Sequence, residues 1–378
     1  MDLKNKHFWS EAFHCIGITV FAILLTVLMK YGLTPLSVFS PLEKSADFQM
    51  SDLYQSVAES KPVHLESRDI TIVSVDGCSR DSVLEVVNLI SEYEPAAIGL
   101  DIFFTYSDKD NTYLLNTLKD KPNLVCASYV ARDEQGETWQ HVQKSFYEDS
   151  IDVTYGYANL YASTHRDVVR SFRPFVLTSN GDTLLSLPAQ LAKMCCPKSY
   201  QTLLARNDTI EKTAFENIEF SVVPAREVIA SDVQDSLLVE RIILIGDTGE
   251  IRDSYLSPLH DPISGVMLHA YALQTILSGN YIDTTPDWLN WLIAIVLCVL
   301  LTSCNLWSKY RRNIFVRIAQ FVIIYLLIVI GCSYFNSHHM YIDFSISILM
   351  IGFALVAFDI WFGFVAFYIF IKNKISKK

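Results

Sequence analysis

Four long apolar blocks constrain the fold of this chain more than any other feature, because each is long enough to cross a lipid bilayer. They lie at residues 13–31, 288–307, 314–335 and 342–371 of a 378-residue chain. About 20 helical residues cross a hydrocarbon core of about 30 Å. The sequence therefore predicts four transmembrane helices, one before and three after a long polar region at residues 32–287.

The first apolar block has two interpretations. It is short and follows Lys4 and Lys6, as the apolar part of a cleaved signal peptide does. No small-x-small cleavage pattern lies close after Lys30, however. We therefore expect the block to be retained as a membrane anchor.

Basic residues next to the membrane predict the orientation. They occur in residues 1–12, 308–313 and 372–378, whereas residues 336–341 contain no Lys or Arg. Lys and Arg flanking a span mark the cytoplasmic side. We expect a multi-pass protein of the cell inner membrane, with both termini in the cytoplasm and residues 32–287 in the periplasm or outside the cell.

The charge of the predicted ectodomain restricts its partners. Residues 31–287 contain 19 Lys and Arg and 37 Asp and Glu, which gives a net charge of −18. Such a surface disfavours nucleic acid and anionic headgroups, and it is compatible with cationic ligands or simply with solubility. We expect no nucleic-acid partner and take the lipid bilayer as the protein's surroundings.

Apolar periodicity within the polar region predicts an α/β ectodomain with a mostly parallel sheet flanked by helices. Strands are predicted at residues 69–76, 96–104, 123–129, 218–223 and 241–245, and helices at residues 81–94, 110–119, 184–194 and 264–278. The first strand, helix and strand form a βαβ unit with parallel strands. We expect residues 241–245 to close the sheet, residues 139–152 to be irregular, and residues 168–178 to form one edge or antiparallel strand.

Three predicted strands end in acidic residues, Asp76, Asp101 and Asp247. Ligands of open α/β sheets bind at the carboxyl ends of the strands. If the strands are neighbours, the carboxylates share one edge, where they suit a divalent metal or a cationic ligand. An internal salt-bridge network is the alternative. The available cations are Arg80, Arg170, Arg173 and Arg252.

Residues around the last predicted strand extend this candidate ligand site. Thr248, Arg252 and Asp253 follow Asp247, although the same residue types also form ordinary turns. His269 lies on the apolar face of the helix predicted at residues 264–278. It is either a hydrogen-bonded core residue or a ligand contact.

Motifs for catalysis are missing from the sequence. It contains no glycine-rich phosphate loop, no G-x-S-x-G, no H-E-x-x-H and no paired C-x-x-C. We therefore expect no enzymatic activity and no cofactor.

Five segments in order resemble the type-2 CHASE domain, a bacterial extracytoplasmic sensory module. They are DITIVSVDGCS, AAIGLDIFF, GYANL with DVVRSFRPF, RIILIGDTGEIRDSYLSPL and ISGVMLHAYALQTILSGNYI, and the resemblance as a whole covers roughly residues 36–284. One anchor before the domain and three spans after it also resemble that family.

This resemblance implies a sensor or receptor role in signal transduction. The last span of such proteins usually continues into a cytoplasmic output domain, whereas only KNKISKK follows Ile371 here. We therefore expect a stand-alone form that signals to a separate cytoplasmic or membrane output protein, with a homo-oligomer as a further possibility. A metal-dependent extracytoplasmic enzyme and a membrane docking platform are the alternatives.

Three residues are candidates for coupling the ectodomain to the membrane. Pro286 stiffens the short linker between the predicted helix at residues 264–278 and Trp288, where the second span begins. Asp359 is a carboxyl group deep in the last span, where ionisable residues are functional candidates. Four spans without an internal repeat suit a transporter poorly, so we expect Asp359 to pair with a polar group in the bundle or in an oligomer.

Overall fold

A computed structural model describes most of the chain. The described residues are 3–32, 49–59, 65–105, 111–119, 121–132, 139–143, 151–162, 168–178, 181–249, 253–259, 262–307 and 313–375. The chain forms two compact units, one made of Met1–Tyr54 with Asp283–Lys378 and the other of Gln55–Ile282. The unit boundary at Ile282 lies close to the predicted start of the second span.

The described residues contain α-helices throughout both units. The helices are α1 (Leu3–Val27), α2 (Met50–Glu59), α3 (Arg80–Glu92), α4 (Thr112–Leu118), α5 (Leu187–Cys195), α6 (Pro197–Arg206), α7 (Ala225–Ile229), α8 (Gly265–Ser278), α9 (Asp287–Trp307), α10 (Asn313–His338) and α11 (Ser345–Ile375). A π-helical turn, Leu28–Gly32, continues α1, and a 3₁₀ turn covers Asp235–Leu237.

The strands lie mainly in the second unit. They are β1 (Leu65–Ser74), β2 (Ala97–Leu100), β3 (Leu124–Arg132), β4 (Trp139–Gln143), β5 (Thr154–Tyr157), β6 (Tyr161–Ala162), β7 (Val169–Phe172), β8 (Phe175–Leu177), β9 (Thr183–Leu185), β10 (Glu211–Lys212), β11 (Ile218–Pro224), β12 (Ile242–Gly246), β13 (Ser254–Tyr255), β14 (Ile263–Ser264), β15 (Asp283–Thr284) and β16 (Met340–Tyr341).

A mostly parallel sheet forms the centre of the second unit, as predicted. Its strands run in the order β11-β1-β12-β2-β3, all of them parallel. Strand β5 pairs with β3 in parallel, and β4 pairs with β3 antiparallel. The expectation that residues 241–245 close the sheet is wrong, because β12 lies between β1 and β2. A strand covered by neighbours on both sides is uniformly apolar, and β12 is buried along its whole length.

Helices cover both faces of this sheet. Along β12 the side chains alternate, so that Ile242 and Leu244 join one apolar cluster while Ile243 and Ile245 join another. The first cluster includes residues of α5 and α8, and the second includes residues of α3, α4 and α7. The predicted α/β class is therefore confirmed.

Two predictions outside the main sheet core need correction. Within residues 139–152, Trp139–Gln143 is a strand rather than an irregular segment, since its backbone pairs with the second half of β3. Residues 168–178 form two strands, β7 and β8, which have different antiparallel partners. Pro174 separates them, consistent with its missing backbone donor.

Local capping signals explain where α3 begins and where α8 ends. Ser79 Oγ accepts a hydrogen bond from the Ser82 amide at the start of α3, as N-cap serines do. Helix α8 starts after Ser264 and ends before Gly279, which has φ +70°. A left-handed residue at this position favours glycine, so the predicted bounds of α8 hold within one residue.

Four helices of the first unit are long and apolar enough to span a membrane. The candidate spans are Trp9–Lys30, Asp287–Trp307, Phe315–His338 and Ser345–Ile375. Helices α1, α9 and α11 pack together around a shared apolar core. This agrees with the predicted four transmembrane helices, one N-terminal and three C-terminal.

Candidate functional site

A cavity of about 480 Å³ opens at the carboxyl edge of the central strands. Asp101 directly follows β2, and Asp247 directly follows β12. Because these strands are adjacent and parallel, their carboxyl ends meet at one edge. The polar and aromatic residues in the cavity wall are Cys78, Arg80, Asp101, Phe103, Phe104, Tyr129, Asp247, Asp253, Tyr255 and His269.

Asp101 and His269 form the buried end of the cavity. The Asp101 Oδ2 atom lies 3.9 Å from His269 Nε2, and the two side chains are 11% and 5% exposed. Within the described part of the chain, the Asp101 carboxyl has no hydrogen-bond partner. Burial raises the pKa of Asp101 to about 7, because removal from water disfavours the charged carboxylate.

His269 is held in the neutral form by its surroundings. Burial lowers its pKa to about 4, although the charge of Asp253 and a hydrogen bond from the imidazole to the Ala158 carbonyl act in the opposite direction. A buried imidazole loses hydration when it is charged. His269 is therefore both a hydrogen-bonded core residue and part of the cavity wall, so the two interpretations of its position are compatible.

Asp253 connects the cavity to the start of α8. Its carboxylate accepts hydrogen bonds from the Tyr255 hydroxyl and from the amide of Gly265, the first residue of α8. Burial and the nearby charge of Asp101 raise the pKa of Asp253. A Cβ atom at Gly265 would lie 2.8 Å from Asp253 Oδ2, so this close approach requires glycine.

Aromatic side chains supply the remaining cavity wall. The rings of Phe103 and Tyr129 stack with their centroids 4.6 Å apart. Arg80 donates from Nη2 to Asn111 Oδ1 at 2.7 Å, and its guanidinium carbon lies 5.8 Å from the centre of the Phe104 ring. Reasoning from the sequence missed Phe103, Tyr129 and Tyr255 as site residues. Tyr129 stands at the end of the third predicted strand, and this position could have identified it as a residue of the same sheet edge.

Asp76 and Thr248 lie outside the cavity wall and form a turn network. Asp76 Oδ1 accepts from the Thr248 amide at 2.6 Å, and Asp76 Oδ2 lies 2.9 Å from Thr248 Oγ1. Burial alone would raise the pKa of Asp76, but a proton shared with the Asp247 carboxyl and hydrogen bonds donated by Thr248 and Ser74 outweigh it and lower the pKa to about 2. The network ties the end of β1 to the end of β12.

A family comparison identifies the domain that contains this cavity. The family model described as "CHASE2 domain" matches residues 20–303. The chain belongs to the CHASE2 domain family. No curated protein and no solved structure matches it. CHASE2 domains are extracytoplasmic sensory domains, and the four candidate spans make this chain a multi-pass membrane protein.

The CHASE2 fold brings together four of the seven predicted ligand-binding residues. Asp101, Asp247, Asp253 and His269 line the cavity, whereas Asp76 and Thr248 belong to the adjacent turn. Arg252 lies outside the described residues. Among the residues that the structure describes, no group of three or more His, Cys, Asp or Glu side chains is placed to hold one metal ion.

The three candidate coupling residues of this CHASE2 protein lie in the membrane unit. Pro286 immediately precedes α9, and Trp288 is an exposed residue in its first turn. Asp359 lies near the middle of α11, and its side chain is exposed.

Proposed function

We propose that this CHASE2 protein is a membrane sensor that binds a small organic cation in the cavity at Asp101. The largely buried Asp101 carboxyl, whose side chain is 11% exposed and has no hydrogen-bond partner among the described residues, carries the proposal. A buried polar group without a partner costs folding free energy. A ligand that donates hydrogen bonds to Asp101 removes that cost, and a positively charged donor removes it best.

The charge and lining of the cavity favour a cation. Among the described residues that line the cavity, Asp101, Asp247 and Asp253 supply three carboxyl groups, and Arg80 supplies one guanidinium group. Tyrosine and phenylalanine faces attract cations, most strongly when water is excluded. A volume of 480 Å³ falls in the range of about 300–1,000 Å³ that is usual for small-molecule sites. Because the described residues form no metal-binding cluster, an organic cation fits better than a metal ion.

Helix α8 offers a route for the signal. Asp253 accepts from the first amide of α8, and His269 lies one turn further along the same helix. If α8 can adopt two placements, a ligand that contacts both residues has a different affinity for each placement. Such a difference in affinity is what coupling between two sites requires. The chain continues from α8 through Pro286 into α9, so a helix shift has a short covalent path to the membrane.

We further propose that the cavity faces the periplasm or the outside of the cell, and that a separate protein produces the output. Basic residues flanking the predicted spans support this orientation. Binding without catalysis is proposed because the sequence carries no catalytic motif. A membrane docking platform would differ from the proposed sensor in one respect, because its association with a partner does not depend on a ligand.

The test is a thermal shift of the purified full-length protein in detergent. Choline is compared with its neutral isostere 3,3-dimethyl-1-butanol, and putrescine with 1,4-butanediol. At 100 times its dissociation constant, a bound ligand stabilises the folded protein by about 2.7 kcal/mol. We expect the cations to stabilise the wild type, the alcohols to have little effect, and Asp101→Asn to remove the difference.

Two results contradict the proposed ligand class. One is equal stabilisation by cations and their neutral isosteres, and the other is undiminished stabilisation of Asp101→Asn. Stabilisation by Mg²⁺ or Ca²⁺ that requires Asp101 would instead support the metal-dependent alternative.

A further inference from the structure

A carboxyl group lies in the middle of α11, far from either end of the span. Asp359 is fourteen residues after Ser345 and thirteen before Lys372. At 1.5 Å per residue, about 20 Å of helix separates it from each end. The Asp359 side chain is exposed, and it has no hydrogen bond or ion pair with any described residue. On a membrane-spanning helix this exposed position faces hydrocarbon, where an unpaired carboxyl is costly.

The intramolecular packing of α11 uses a different face. Ala354, Ala357 and Phe358 are buried in the apolar core that α11 shares with α1 and α9. Asp359 is not part of that core, and the described residues of the helix bundle supply no partner for its carboxyl. Of the two expected partners of Asp359, a polar group in the bundle or one in an oligomer, the described residues supply none in the bundle, and the oligomer is the alternative that we develop.

The exposed face around Asp359 has the pattern of a helix-pairing seam. Gly352, Val356, Asp359, Gly363 and Ala366 are all exposed and follow one another at alternating intervals of four and three residues. This spacing keeps side chains along one line between two paired helices. A Cβ atom added at either glycine would meet no other atom within 4 Å, so the space beside the glycines is open.

We propose that this seam pairs with the same seam of a second copy, so that Asp359 faces Asp359 in a homodimer. Two copies inserted with one membrane topology have parallel α11 helices, and a twofold axis along the membrane normal brings identical residues together. Two carboxyl groups that share a proton both donate and accept, which makes Asp359 self-complementary. The small residues on either side permit the close backbone approach that stabilises helix pairs in lipid.

Counting copies in lipid bilayers tests the role of the carboxyl. The full-length protein is labelled with a fluorophore, and bleaching steps are counted at increasing dilution in lipid. We expect a dimer for the wild type and for Asp359→Asn, whose amide also donates and accepts. Asp359→Leu should dimerise about tenfold more weakly, because the interhelical hydrogen bond is lost. An unchanged ectodomain melting temperature confirms that each variant is folded.

Cysteine cross-linking tests the geometry. Ala366→Cys places a cysteine on the seam. Phe364→Cys is its control, two residues away on another exposed face. The protein without either substitution measures the cross-links formed by the native cysteines. We expect oxidation to join two copies through Ala366→Cys much faster than through Phe364→Cys. A monomeric wild type, equal dimerisation of Asp359→Leu, or equal cross-linking at the two positions overturns the proposal. Capture of Asp359 by a basic residue of a different protein overturns it as well.

Discussion

Asp101 Oδ2 and His269 Nε2 lie 3.9 Å apart at the buried end of the cavity. The usual order of their pKa values is reversed, because the carboxyl pKa is raised above the imidazole pKa. Burial raises the carboxyl pKa to about 7 and lowers the imidazole pKa to about 4. Between these values the pair is neutral, with the proton on Asp101 rather than on His269. A cation that binds Asp101 near neutral pH therefore displaces a proton.

Replacement of Asp101 by Asn should change how stability depends on pH. In the unfolded chain an Asp carboxyl titrates near pH 4, so between about pH 4 and 7 the folded protein binds more protons at Asp101. The contribution of Asp101 to stability therefore falls as pH rises, by at most about 1.4 kcal/mol per pH unit. We expect the melting temperature of Asp101→Asn, relative to wild type, to rise from pH 5 to 7 and then level off.

Asp76→Asn is the matched control for this pH series. The hydrogen-bonded Asp76 has a lowered pKa of about 2, so its contribution to stability is present above pH 4 and is lost only as pH falls toward 2. Its melting temperature relative to wild type should not change between pH 5 and 8. A flat profile for Asp101→Asn as well would show that Asp101 titrates normally.

Replacement of His269 by Gln should produce a slope of the opposite sign. The unfolded chain binds a proton at histidine below about pH 6.5, whereas folded His269 stays neutral down to about pH 4. The contribution of His269 to stability therefore rises with pH across this interval. We expect the stability of His269→Gln relative to wild type to fall as pH rises from 4.5 to 6.5. A parallel shift at every pH would refute the lowered pKa of His269.

Gly265→Ala tests the contact between Asp253 and α8. The new Cβ atom would lie 2.8 Å from Asp253 Oδ2, and such overpacking costs about 1–3 kcal/mol of unfolding free energy. The cost should shrink or reverse in an Asp253→Ala background, where the clashing carboxylate is gone and alanine favours the helix. The four unfolding free energies form a double-mutant cycle. Additive effects would exclude the close approach.

A flexible insertion tests coupling through the linker. The boundary between the two structural units falls between Ile282 and Asp283, and Pro286 follows shortly before α9. We expect six Gly and Ser residues inserted at this boundary to leave the ectodomain melting temperature unchanged and to abolish ligand-dependent activity of the partner. The control carries the same insertion within residues 376–378, beyond α11. Signalling that survives the linker insertion would favour the docking platform.

Local sequence signals were sufficient for most individual elements. The period of α8, its Ser264 start and its Gly279 stop predicted the helix within one residue. Acidic residues after the apolar runs of β2 and β12 predicted that Asp101 and Asp247 meet at one edge of the sheet, since parallel strands place their carboxyl ends together. Each of these inferences uses residues that are close in sequence or a general rule of sheet geometry.

Long-range pairing explains what the sequence did not predict. The antiparallel pairing of Ser254 with Ser264 brings Asp253 back beside Gly265, and nothing in the intervening residues encodes that contact. The stacking of Phe103 on Tyr129 likewise requires β2 and β3 to be neighbours. The position of β12 in the sheet depends on which strands pair with it, and the apolar strand sequences are too similar to one another to specify that order.

The central place of β12 determines when the sheet of this protein can form during synthesis. Strands β1 and β2 leave the ribosome early, yet neither has its inner neighbour until Ile242–Gly246 has also been synthesised. Until then both strands present open edges to other chains, a state prone to aggregation. Because β12 is synthesised after β1, β2 and β3, the sheet is completed late in synthesis, and chaperones that cover open strand edges are needed most in the interval before it.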